Sequence, residues 1–356
     1  MVDEEGDLSV MGGASTADSA DGPGPEGAGA AVKTRRRHRW WIPLVILLAL
    51  LVLGGGGLVW YAVAIGKEFS DKVHRGGEVQ LPESSITIGP TAEPTTDSKA
   101  VNFVLMGVDK RDGDRGRSDS LMVAHLSGDR KHLYLISFPR DMWVTIPGRG
   151  KDKINAAYAY GGTALTVSTL QELLQLKIDH VGMIDMEGFI RLTDVVGGVT
   201  INNPYGFTID GETYPAGQLE LSGDRALLFV RARKMLPNGD LDRARNQRLV
   251  LKAIISKGLS PSMVANPAAF TSFVGGVANT MQVDDSMTDD VIRELFLSLR
   301  MTSAEDVRDL QAPLTGFGTS PGGASIDVVD EARLAELATA LRNDDVESYY
   351  QKYGQR

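Results

Sequence analysis

The sequence predicts an α/β domain, a mixed central sheet flanked by helices in an α-β-α sandwich, preceded by one transmembrane helix. Three observations predict it. Short apolar runs at 101–107, 120–126 and 132–138 have the length and composition of buried strands. Segments with apolar residues at helical spacing alternate with further short runs downstream, the pattern of a sheet covered by helices. Residues 40–66 carry no charged side chain, over a length that crosses ~30 Å of hydrocarbon as a helix.

The elements follow in order. Residues 1–39 begin with Gly, Ala, Ser, Asp, Glu and Pro, too poor in large apolar side chains to offset chain entropy. They end in the basic run Lys33-Thr34-Arg35-Arg36-Arg37-His38-Arg39. The region reads as a disordered cytoplasmic arm. The span at 40–66 has Trp40, Trp41, Trp60 and Tyr61 near its two ends, where amphipathic rings settle. The basic run before it and the mixed charges after it place the N-terminus in the cytoplasm and the rest of the chain outside. The expected location is the cell membrane, with a single pass. Residues 67–99 are polar and contain Pro82, Pro90 and Pro94, which reads as an extended or weakly structured stalk. The domain proper is placed at 100–345 and a tail at 346–356.

Within the domain, helical spacing runs over 163–176 through Leu165, Val167, Leu170, Leu173 and Leu174. A strand is predicted at 180–184 and a helix at 187–196, stopped by Gly197-Gly198. A short strand follows at 199–201. Ser222 is predicted to cap a helix through 228, and Asp242 a longer one through 257. Helical patterns at 289–299 and 329–342 are separated by a glycine-rich stretch, 316–323. There is no internal repeat.

Several chemistries are excluded. The chain has no cysteine, so disulfides, thiolate metal sites and cysteine nucleophiles are absent. A net charge of -9 argues against a general nucleic-acid binder, and no nucleic-acid partner is expected. No P-loop or histidine cluster is present.

The notable pattern is arginine beside aspartate at strand ends. Asp109 closes the first strand, and Arg117-Ser118-Asp119 opens the second. Pro139-Arg140-Asp141 follows the third. Arg231 and Arg233 form a fourth group, two apart, so that an extended segment would put them on one face. Asp240-Leu241-Asp242-Arg243 opens the later helix, with Gln247 one turn after Arg243. Ligands gather at strand ends in open α/β sheets. Guanidinium groups bind phosphate oxygens bidentately, and carboxylates with a diphosphate form a hard oxygen site fit for Mg²⁺. Any single pair reads equally well as a surface salt bridge. The set reads as an anion site, with or without a metal.

These segments also carry a family resemblance. Leu105-Met106-Gly107-Val108-Asp109, Gly116-Arg117-Ser118-Asp119-Ser120 and Ser137-Phe138-Pro139-Arg140-Asp141 occur in order. Lys153-Ile154-Asn155-Ala156-Ala157-Tyr158-Ala159-Tyr160-Gly161-Gly162, Asp194-Val195-Val196-Gly197-Gly198-Val199 and Phe229-Val230-Arg231-Ala232-Arg233 follow. Together they resemble LytR-CpsA-Psr proteins, the cell envelope-related transcriptional attenuators, over about residues 101–255.

The resemblance implies a phosphotransferase that moves a glycan phosphate from a polyprenyl pyrophosphate carrier to peptidoglycan or another envelope acceptor. It implies Mg²⁺ or Mn²⁺ at Asp109 and Asp119. It implies pyrophosphate contacts from Arg117, Arg140, Arg231, Arg233, Arg243 and Gln247. Asn246 departs from the pattern, because many relatives carry arginine there. Asp109, Asp119 and Arg140 are the expected catalytic set, with Asp109 or Asp119 taking the acceptor proton. The lipid tail is implied to lie in an apolar tunnel. Leu170, Leu173, Leu174, Phe189, Leu192 and Val196 are expected to line it, although such stripes also describe ordinary core. The same residues would serve a polyprenyl-pyrophosphate pyrophosphatase, with water as acceptor. A non-catalytic envelope sensor is the other alternative.

Overall fold

The computed structural model describes residues 61, 63–82, 99–108, 118–301 and 303–354. The predicted arm at 1–39 and most of the predicted span at 40–66 lie outside them. Among the described residues no helix is long and apolar enough to cross a membrane.

A helix α1 covers residues 63–72 and leads into β1 (His74–Arg75). The strands β2 (Val101–Val108), β3 (Ser118–Leu126) and β4 (Leu133–Phe138) form where the apolar runs predict them. A small hairpin follows, β5 (Trp143–Ile146) and β6 (Gly150–Lys153), then α2 (Ala156–Leu174), β7 (His180–Asp185) and α3 (Met186–Val195). Four short strands come next: β8 (Val199–Asn203), β9 (Phe207–Ile209), β10 (Glu212–Tyr214) and β11 (Gly217–Leu221). The helices α4 (Gly223–Arg231), α5 (Asp240–Gly258), α6 (Pro261–Val264) and α7 (Pro267–Asn279) precede β12 (Met281–Val283) and α8 (Asp289–Ser298). The chain closes with β13 (Val307–Gln311), β14 (Leu314–Thr319), β15 (Ser325–Val329), α9 (Glu331–Arg342) and α10 (Val346–Tyr353).

Seven strands form one mixed sheet in the order β1-β12-β7-β2-β3-β4-β13. The pairs β7–β2 and β4–β13 are parallel, while β2–β3 and β3–β4 are antiparallel. Side chains alternate across the sheet and feed two separate cores. Val104, Met106, Val123 and Ile136 face one core, built with α2, α9 and α10. Met122, Ala124, Leu135 and Ile184 face the other, built with α1, α3, α4, α5, α7 and α8. The predicted α-β-α layering is therefore the observed one.

Three expectations are corrected and one is extended. Residues 67–82 are not an extended stalk. Ile65, Phe69 and Val73 recur at helical spacing and bury into one core, and Val79, 1% exposed, buries into the other. The glycine-rich 316–323 does more than separate two helices: it forms the end of β14 and most of the turn into β15. A Cβ on Gly318 would stand 2.8 Å from Val328 Cγ2, so glycine permits the close strand approach there. The following helix begins only at Glu331, because the Asp330 carboxylate accepts from the Arg333 N–H at 3.1 Å and caps it. The tail is helical, with Val346 and Tyr349 buried.

Candidate functional site

The strands β2, β7, β4 and β13 run in one direction, so their C-terminal ends meet at one edge of the sheet. Residue 138 on β4 pairs with Leu121, and Gly107 on β2 pairs with Ser120. The segment leaving β2, the start of β3 and the turn after β4 therefore emerge together. That turn, 139–142, closes with the Met142 N–H donating to the Pro139 carbonyl at 3.0 Å and is pinned by the buried Phe138 and Met142. Arg140 and Asp141 project from it. The Ile154 N–H donates to the Met142 carbonyl at 2.8 Å, which brings Lys153 alongside. Lys153 Nζ lies 2.8 Å from Asp141 Oδ1.

Across from this turn, the loop 232–239 joins α4 to α5. Ala232 and Leu236 anchor it in the core. The Asp242 carboxylate is 1% exposed and accepts from the Asn238 N–H at 2.8 Å and from Arg245 Nη1 at 3.0 Å. Asp242 thus ties the loop to the helix rather than capping it; Gly239, at φ +53°, occupies the cap position. The loop and the first turn of α5 then present Arg233, Asp240 and Arg243.

Three guanidiniums converge on the Asp240 carboxylate. Arg140 Nε lies 3.3 Å from Oδ2, Arg233 Nε lies 3.3 Å from Oδ1, and Arg243 Nη2 lies 2.8 Å from Oδ1. The last two atoms are buried and close, yet not aligned for a hydrogen bond. Three cations on one carboxylate form a pocket of positive charge that a polyanion would fill. Gln247 lies one turn beyond Arg243 and is largely buried. Behind it, Arg248 Nη1 donates to Ser137 Oγ at 2.5 Å, and burial pushes this guanidinium down to about 10.

Sequence reasoning assigned no role to Asp240 or Asp327. Asp327 lies on β15, and its N–H donates to the Asp141 carbonyl at 2.9 Å. Residues Met142 and Asp327 form a parallel bridge. The Asp327 side chain is buried, and its carboxyl is pushed up to about 6 by burial, then by Asp141 and Asp240, with Lys153 and Arg140 pulling the other way. No motif marks it, because a long excursion of chain separates it from the other site residues.

Other expected residues are placed differently. Arg231 ends α4 in helical conformation, so it and Arg233 do not share the face of an extended segment. Arg231 Nη2 lies 2.8 Å from Glu187 Oε2 on an exposed surface, where Glu187 also accepts from Arg191 at 2.9 Å. These hydrogen bonds, that from Arg191 foremost, hold the Glu187 carboxyl below the usual range. Asp109 and Arg117 lie outside the described residues. Asp119 lies on β3 at the same sheet edge, and its side chain also lies outside them. Among the described residues, no group of three or more acidic or histidine side chains could hold a metal. Carboxylates at 109 and 119 would be hard oxygen donors of the kind Mg²⁺ takes, with its remaining positions left to phosphate oxygens and water.

The six apolar residues expected to line a tunnel do not come together. Leu170 and Leu174, with Leu173 against them, pack in one core, while Phe189, Leu192 and Val196 pack in the other. The sheet stands between α2 and α3, and helical spacing alone cannot tell which face a stripe covers. An apolar cavity of about 290 Å³ does exist on the α1–α8 face, lined among others by Phe69, Phe103, Leu105, Met281, Leu295 and Phe296.

Comparison with known proteins agrees with this fold. A polyisoprenyl-teichoic acid–peptidoglycan teichoic acid transferase TagU from Bacillus cereus is 35% identical over 296 residues, covering 81% of this chain and 92% of that protein. The TagU of Bacillus licheniformis is 35% identical over 242 residues, covering 68% of this chain and 76% of its own. Among solved structures, B. subtilis TagV superposes with a TM-score of 0.57 at 26% identity, covering 70% of this chain and 99% of that one. TagT bound to LI-WTA superposes with a TM-score of 0.53 at 27% identity, covering 75% and 96%. Residues 62–343 match the LytR_cpsA_psr family, and the chain belongs to that family.

Proposed function

We propose that this protein is a cell-wall polymer ligase that moves a glycan phosphate from a polyprenyl pyrophosphate carrier to peptidoglycan or a related envelope acceptor. The observation that carries this reading is the convergence of Arg140, Arg233 and Arg243 on one carboxylate at the strand-end edge. A diphosphate is the ligand whose charge and geometry such a fork set fits. The transferases of similar sequence named above support the choice of donor and acceptor.

In this reading Arg140, Arg233 and Arg243 release Asp240 and take the diphosphate, assisted by Gln247, by Arg117 and by Arg231 swung off Glu187. Their charge offsets that developing on the leaving phosphate. Asp109 and Asp119 would hold Mg²⁺ or Mn²⁺, which supplies further neutralisation of the diphosphate. An acceptor hydroxyl attacks the phosphorus attached to the sugar. The bond from that phosphorus to the bridging oxygen breaks, and polyprenyl phosphate departs with the electron pair. The apolar cavity on the α1–α8 face is the candidate place for the lipid tail. The uncharged stretch that begins at residue 40 anchors the chain in the cell membrane and ends before Ile65, which packs in the domain core, with the N-terminus cytoplasmic and the domain outside.

The test is transfer of label from a polyprenyl pyrophosphate-linked glycan in the presence of peptidoglycan. Label is expected in the insoluble wall fraction and to depend on Arg243. Label released only as soluble glycan phosphate would overturn the ligase reading in favour of hydrolysis.

A further inference from the structure

Asp327 is 6% exposed, and among the described residues no hydrogen bond or ion pair reaches its carboxylate. It is held in place by its backbone. The β15 strand lies against the 139–142 turn through the Asp327 N–H to Asp141 carbonyl bond and the Met142 bridge. The same turn carries Arg140 into the arginine cluster. The charges of Asp141 and Asp240, and against them those of Lys153 and Arg140, therefore act on the carboxylate.

Direct pairing does not account for it. Asp240 already serves Arg140, Arg233 and Arg243, and Asp141 already serves Lys153. A third buried carboxylate beside two others costs stability. Such a group, at the edge of an anion site and with no hydrogen-bond partner among the described residues, is placed for proton transfer rather than for support.

We propose that Asp327 accepts the proton of the acceptor hydroxyl during transfer. This rests on the ligase reading of the same site. The hydroxyl oxygen forms its bond to the sugar-linked phosphorus as its proton passes to an Asp327 oxygen. The bond to the bridging oxygen breaks and polyprenyl phosphate leaves with the electron pair, so charge and atoms balance. Asp109 and Asp119, if engaged with a cation, have their lone pairs committed. Asp327 has no such commitment, and its carboxyl at about 6 is ionised at neutral pH yet more basic than an ordinary aspartate.

The experiment uses the full chain in membranes, with polyprenyl pyrophosphate-linked glycan and peptidoglycan. Single-turnover rates are measured across roughly pH 5 to 9 for wild type, Asp327→Asn and Asp327→Glu, with donor binding and thermal stability measured separately. Asp327→Asn is expected to lose at least ~100-fold in transfer rate while donor binding stays within about threefold. Its melting temperature should be unchanged or higher, because a like-charge contact is removed. The acid limb of the wild-type profile, near pH 6, should vanish from its residual rate. Asp327→Glu should retain part of the rate with the limb displaced.

An Asp327→Asn rate within about threefold of wild type, or an acid limb that persists in it, overturns the proposal. If Asp327→Asn melts lower and does not fold, the Glu variant decides: a displaced limb sustains the assignment and an unmoved limb removes it. Wild type that labels no peptidoglycan would instead sink the ligase reading. An active wild type indifferent to Asp327 sinks only this inference.

Discussion

Two arginine–carboxylate networks lie on this domain and differ in what surrounds them. On the surface, Arg231, Glu187, Arg191 and Asp224 form a ladder, each cation matched to an anion within 2.9 Å. At the sheet edge, Arg140, Arg233 and Arg243 share Asp240, and the contacts are longer or poorly aligned. The ladder is saturated and open to water, where screening leaves each pair worth little. The cluster is partly desolvated and carries an excess of positive charge. Arginine beside aspartate is one sequence signature, but these two networks show that it has two physical meanings. Solvent access and charge balance separate them.

Arg243→Ala should give the largest contrast. It leaves the partly buried Asp240 with fewer partners, and stability should fall by up to about 3 kcal/mol, the low end for breaking a buried ion pair. Donor affinity should fall by about 100-fold, close to the same energy in an equilibrium constant. Urea unfolding and donor titration measure the two. If neither moves, the cluster is no different from the ladder.

The next effect is pH-dependent. The Asp327 carboxyl is raised from 3.8 to about 6, so the folded state holds its proton longer than the unfolded state does. Its contribution is nil where both states are protonated. Stability is lost as pH rises from 3.8 through about 6 and stays lost above. Asp327→Asn should therefore gain on wild type across that window, by up to about 3 kcal/mol at neutral pH. Melting curves of both proteins at matched pH give the difference; a flat difference would remove the cluster's third carboxylate from the comparison.

Asp240→Asn should cost roughly 2 kcal/mol, since the guanidiniums lose their shared anion. Added inorganic pyrophosphate should restore more stability to this variant than to wild type, because it fills the same place. Arg231→Ala is the smallest case for the fold, within about 1 kcal/mol. Transfer should nonetheless fall by about tenfold if Arg231 leaves Glu187 for the diphosphate. A transfer rate unchanged from wild type would confine Arg231 to the surface ladder.

Much of this was legible before folding. The runs at 101–107, 120–126 and 132–138 have the length and composition of buried strands, and Arg140, Arg233 and Arg243 flank elements whose ends meet. What periodicity could not supply was sidedness. Leu170 and Phe189 sit on equally good stripes, yet the sheet separates them. Nor could it supply long-range partners. Asp327 joins the site only because β15 bridges to Met142, and nothing in residues 316–330 signals that contact. The helix at 63–72 was hidden differently: its Ile65, Phe69 and Val73 spacing is regular, but charged neighbours gave it the look of a stalk.

That segment is threaded through the domain rather than attached to it. Phe69 packs on Phe296 with ring centres 5.6 Å apart, Arg75 Nε donates to the Met287 carbonyl at 2.8 Å, and the Gln80 N–H donates to Thr163 Oγ1 at 2.9 Å. It fastens one core, crosses the sheet margin and fastens the other. A truncation begun at residue 70 would strip Ile65 and Phe69 and leave Phe296 without its cover, whereas one begun at 61 would keep the seam closed. A nick between 67 and 82 would fall inside a segment that both cores hold through buried side chains. Tension entering at residue 61 would meet the Ile65 and Phe69 contacts of one core before the Val79 contact of the other.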